Sequence, residues 1–147
     1  MNTNEVLHPK GEVTIQVFDK NGQLKEKTVI PNLVVQSGRD FIASRMEGVT
    51  DAVMSHMAVG TDNTSAANGD TTLGTEVGRV ALDSTGVSNN IVTYTATFPA
   101  GTGTGALTEA GVFNDGTTGD MLCRTTFSVV NKAAADSMII TWAITIS

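Results

Sequence analysis

The sequence predicts a mainly β domain: an antiparallel, jelly-roll-like β-sandwich of about eight strands with one short helix. Three observations carry this. Short runs alternate apolar and polar residues with a period of two along most of the chain. Turn-forming clusters of Gly, Asn, Asp, Ser and Thr separate them at short intervals. Helical spacing occurs once, over residues 37–47, so helices do not alternate with strands as a parallel sheet requires.

Residues 1–11 read as an N-terminal arm and 12–147 as a single domain. In the arm, Val6, Leu7 and Pro9 are the candidate contacts to a neighbouring subunit or a larger shell, because Val6–Leu7 is the one apolar pair in a polar segment. Glu12 to Phe18 is the first strand, with Val13, Ile15 and Val17 on one face. Asp19-Lys20-Asn21-Gly22 is a turn. Gln23 to Ile30 returns as an edge-like strand with Lys25, Glu26 and Lys27 in its middle, and Pro31 is expected to end it. Ser37 has the character of an N-cap with Asp40 at the capping-box position; Phe41, Ile42 and Met46 form a lid-like stripe, and Gly48 stops the helix.

Met54 to Val59 is a short strand carrying His56, for which a structural role is the expectation. Gly60 to Thr72 is a loop. Its Asp62 and Asp70 raise calcium, but the EF-hand spacing is absent. Thr75 to Asp83 is a strand, Asp83 to Asn90 a turn, and Ile91 to Phe98 a strongly alternating strand. Pro99 to Ala106 is a glycine-rich loop that opens no helix and holds no Lys, which excludes a phosphate loop. Leu107 to Asn114, Met121 to Val130 and Ser137 to Ser147 complete the set. Met121, Cys123, Phe127 and Val129 fall on one face of the second of these. In the last, Met138, Ile140, Trp142, Ile144 and Ile146 make an unbroken apolar face that belongs in the core.

Composition narrows function. The 147 residues carry a net charge of -6, and beyond Val59 the cations are only Arg79, Arg124 and Lys132. A nucleic-acid binder needs a basic patch, so direct nucleic-acid binding is not expected. Cys123 stands alone, which rules out an internal disulfide and reads as a small buried hydrophobe. The N-terminus has no apolar core of a signal peptide and no run reaches a membrane span, so a protein made in the cytosol without membrane insertion is expected. His8 and His56 are the only histidines and no nucleophile elbow exists. The expectation is a protein that is not an enzyme and takes no cofactor or metal.

Six segments in order carry a resemblance: NLVVQSGRDFIASRM (Asn32 to Met46), MSHMAVGTDNTSA (Met54 to Ala66), LGTEVGRVAL (Leu73 to Leu82), TEAGVFN (Thr108 to Asn114), RTTFSVVNK (Arg124 to Lys132) and IITWAITIS (Ile139 to Ser147). Together they resemble small virion structural proteins of tailed bacteriophages. The resemblance implies a head decoration, or cement, protein: a jelly-roll homo-oligomer, a trimer, assembled in the host cytoplasm onto the head exterior with the major capsid protein as partner. Tail, collar or fibre-base components are the alternative within the same resemblance. A carbohydrate- or calcium-binding module using the loops at 60–72 and 99–106 is the reading from a different class.

Overall fold

The computed structural model describes residues 6–48 and 51–147. Among these residues nine antiparallel strands and one helix make a mainly β, sandwich-like fold. In chain order they are β1 (Pro9–Phe18), β2 (Leu24–Val34), α1 (Gln36–Glu47), β3 (His56–Gly60), β4 (Glu76–Ala81), β5 (Ser84–Ser88), β6 (Ile91–Phe98), β7 (Gly105–Phe113), β8 (Met121–Lys132) and β9 (Ser137–Ile146). The strands form one curled sheet in the order β4-β3-β7-β8-β2-β1-β9-β6-β5.

The curl comes from two places where the chain changes neighbours. From Leu24 to Asn32, β2 pairs with β1; Leu33 and Val34 then pair with Arg124 and Cys123 of β8. Pro31 lies inside β2 at this corner rather than ending it. A proline is tolerated there because the far edge of β2 has no partner until Leu33. The Thr125 hydroxyl donates to the Pro31 carbonyl at 2.8 Å and fastens the bend. On the opposite side two consecutive amides face different halves. Leu82 N–H donates to Ser55 O, beside β3, and Asp83 N–H donates to Thr95 O, in β6. The chain thus passes from β4 into β5 with no loop, and β4 comes against β6.

Between the two halves lies the core, where Trp142, Ile140, Met138, Phe98, Val13, Ile15 and Val17 meet Met57, Val59, Leu107 and Val112. Trp142 is 0% exposed, as the alternation of β9 requires. Cys123 is buried, and burial pushes its thiol pKa up.

Further expectations are corrected. The segment at Ser84–Ser88 is a strand, not a turn; all five residues are exposed, so it has no apolar period to read. β8 carries two extra residues opposite β7, since Leu107 pairs with Val130 but Glu109 pairs with Thr126. The bulge moves Val129 out of the buried face, leaving it 49% exposed. The helix begins at Gln36 with Val35 as its N-cap and no side-chain cap. Ser37 Oγ donates instead to Met121 O at 2.7 Å, and Asp40 accepts from Gln36 Nε2 at 2.8 Å. Phe41 and Ile42 cover one end of the core, but Met46 is 87% exposed. Gly48, at φ 77°, does end the helix.

Candidate interaction surface

His8 and the segment that follows it meet the last residues of the sequence at one end of the sandwich. His8 and Ser147 exchange backbone hydrogen bonds at 2.7 and 3.2 Å, and Pro9 pairs with Ile146. The turn before β6 joins them, with Asn90 accepting from Ile146 N and donating from Nδ2 to Ile146 O at 2.9 Å. α1 crosses nearby, held close because Gly38 packs directly on the Leu122 carbonyl; a Cβ there would sit 1.9 Å from that oxygen.

Two adjoining apolar grooves result. One, of about 210 Å³, runs between Leu7 and Pro9 on one wall and Ile42, Ala43 and Met46 on the other, with Ile146 shared and Arg39 at the rim. The second, of about 190 Å³, lies under Phe41 and Ile42 against Val92, Tyr94 and Ile144. Of the three expected arm contacts, Leu7 and Pro9 line the groove. Val6 is 63% exposed beside it and does not line it. Pro9 belongs to β1 rather than to a free arm. Tyr94, partly under the helix, has its phenol pKa pushed up to about 12 by burial.

A second cluster lies on the outer face of β7 and β8 and went unseen in the sequence. Glu109 is 0% exposed, yet five donors converge on it. Oε2 accepts from Asp62 N at 3.0 Å and Thr75 N at 2.8 Å; Oε1 accepts from Gly74 N at 2.8 Å and from Arg124 Nε and Nη2 at 3.2 and 3.1 Å. Arg124 Nη1 donates to Asp70 at 3.0 Å, and Asp62 stands 3.9 Å from Nη2. The loop from Thr61 to Thr75 is therefore strapped across the sheet. Leu73 is seated over Gly111, where a Cβ would come within 3.0 Å of it. Asp62 and Asp70, raised above as calcium ligands, are spent on Arg124 and on loop amides: Asp62 accepts from Thr64 N, and Asp70 from Ala67 N. The Thr64 hydrogen bonds, with Arg124 behind them, lower the Asp62 pKa.

Several other polar residues are equally committed. Arg79 stacks on the Phe113 ring at 3.9 Å, pairs with Glu76 at 2.7 Å and donates to the Asp115 and Thr118 carbonyls. Asp115 caps Thr117 and Thr118, whose amides hold its pKa near 2. His56 meets Ser55 Oγ at 2.8 Å through Nδ1 and forms no triad. Lys25 sits on Asp136 at 2.6 Å, a hydrogen bond that, with the Ala133 amide, lowers the Asp136 pKa. Among the described residues no group of His, Cys, Asp or Glu is placed to hold a metal ion, and no helix is long and apolar enough to cross a membrane. No known protein family, curated protein or solved structure matches the chain.

Proposed function

We propose that the protein is a structural component of a tailed-bacteriophage virion, a decoration protein that docks on the head exterior and reinforces the shell. The reading rests on the ordered resemblance from Asn32 to Ser147. Its main structural support is the apolar groove that Leu7 and Pro9 share with α1. Exposed apolar side chains gathered beside Leu7 and Ile146 suit docking rather than catalysis. The major capsid protein is the partner of this reading, and a homo-oligomer, a trimer, is the assembled form. No cofactor or catalytic step is assigned to it.

Quantitative mass spectrometry of purified virions tests the proposal. Hundreds of copies, close to the number of major capsid subunits, support it. A few dozen copies that follow isolated tails would replace it with the tail, collar or fibre-base reading. For the groove itself, Leu7→Asp together with Met46→Asp is expected to abolish attachment to heads that lack the protein, while far-ultraviolet circular dichroism stays unchanged.

A further inference from the structure

The chain holds two Asn-Gly pairs, Asn21-Gly22 and Asn68-Gly69, both exposed. Such pairs rearrange spontaneously, because glycine offers no side chain to hinder its own amide nitrogen. That nitrogen attacks the asparagine Cγ. Hydroxide takes the glycine amide proton, the new N–C bond forms, and the Cγ–Nδ2 bond breaks as water returns a proton to the Nδ2 nitrogen, which leaves as ammonia. Water then opens the succinimide to aspartate or iso-aspartate. The reaction needs only water and mild base, and it is slowed wherever the glycine N–H is held in a hydrogen bond.

The two pairs differ in that respect. In the β1–β2 turn, Gly22 N–H donates to Asp19 O at 3.0 Å, and Asn21 N–H donates to the Asp19 carboxylate at 2.8 Å. The nucleophile is tied into the turn. In the strap, Asn68 and Gly69 are the two central residues of a turn closed by Asp70 N–H to Ala67 O at 3.0 Å. Among the described residues, Gly69 N–H donates to nothing, and the space around Gly69 is open. The neighbours of Asn68 favour the chemistry. Its backbone carbonyl accepts from Gln36 N, the first amide of α1, at 2.8 Å, so the positive helix end polarises the carbonyl that water must attack to give iso-aspartate. Its Nδ2 reaches only Gln36 Oε1, at 3.4 Å.

We infer that Asn68 is a built-in deamidation site of the folded protein and that Asn21 is protected. Conversion adds a carboxylate two residues before Asp70, whose own carboxylate holds Arg124. The iso-aspartate product also inserts a main-chain carbon into the strap and presents a carboxylate to the first turn of α1. The modified strap is therefore altered where it meets Arg124 and where it meets the helix.

Peptide mapping by mass spectrometry, after incubation of the intact protein in mildly alkaline buffer, tests this. Asn68 is expected to gain one mass unit several-fold faster than Asn21, with iso-aspartate as the main product by isoaspartyl methyltransferase labelling. In concentrated urea the two sites should convert at similar rates, since both have the same neighbour. Gly69→Ala should suppress the Asn68 reaction and leave the fold intact, because a Cβ there meets nothing and φ is not positive. Equal rates in the folded protein, a faster Asn21, or no conversion of Asn68 would each overturn the assignment. So would a rate ratio unchanged by urea.

Discussion

At the scale of single residues, burial and polarity can be separated. Trp142 fills the middle of the core, and Trp142→Ala should cost about 3–5 kcal/mol in urea unfolding. Its indole N–H has no hydrogen-bond partner. Trp142→Phe therefore removes an orphaned donor along with some packing and should cost clearly less. Glu109 is the opposite case, a buried carboxylate whose value lies wholly in its donors. Glu109→Gln turns an N–H toward them and should lose about 3–5 kcal/mol, the usual result of breaking a buried charged pair. Protease susceptibility between Thr61 and Thr75 should rise with it. Trp142 was legible in the sequence, because alternation along β9 gives its face. Glu109 was not, because its amide partners lie 34 to 47 residues away and period two says nothing about them.

Tyr94 gives a residue-scale prediction in pH. It is the only tyrosine, so phenolate absorbance reports it alone. Its folded pKa is raised from 10.0 to about 12. The folded state holds the proton more tightly, so the stability linked to Tyr94 is complete below pH 10 and is lost as pH rises toward 12. Ionisation near 10 with the fold intact would contradict the packing under α1. Asp115 acts at the other end. Its folded pKa is depressed from 3.8 to about 2, so its contribution is present above about 3.8 and disappears as pH falls toward 2. Asp115→Asn should flatten that part of the acid unfolding curve.

At the scale of elements, the contact between α1 and β8 sets two opposed effects against each other. Glycine inside a helix is unfavourable by roughly 0.5–1 kcal/mol relative to alanine. A Cβ at Gly38, however, would fall 1.9 Å from the Leu122 carbonyl. Such overpacking costs typically about 1–3 kcal/mol, so Gly38→Ala should destabilise the protein by thermal unfolding despite its better helix propensity. A rise in melting temperature would mean that the helix is free to lift. The existence of α1 was readable from Phe41 and Ile42, but its cap was not. Ser37 has a cap-like sequence context, and only tertiary structure supplies the Met121 carbonyl that takes its hydroxyl. β5 escaped for a related reason: an edge strand with no buried face has no pattern.

At the scale of the whole molecule, the β-sandwich class followed from alternation and turns, while the strand order did not. β1 pairs with β9, β2 with β8, β3 with β7 and β6 with β9, so half of the strand pairings join distant parts of the chain. The resemblance segments take on a physical meaning here. Gly60, Asp62, Glu109, Gly111 and Arg124, which form or hold the strap, fall within them, so these stretches of the chain serve folding. The groove draws on them too, at Arg39, Ile42, Ala43, Met46 and Ile146, and adds Leu7 and Pro9, which precede every one of those segments.

The pairing of His8 with Ser147 has a mechanical side. β1 and β9 are antiparallel and aligned over ten residue pairs, from Pro9–Ile146 to Phe18–Ser137. Tension that draws residues 8 and 147 apart acts across these strands, opening the ladder one pair at a time like a zip. Tension between residue 8 and the far end of β9 runs along the strands and loads all the pairs together. Pulled in an optical trap, the domain should yield at low force by the first route and resist by the second.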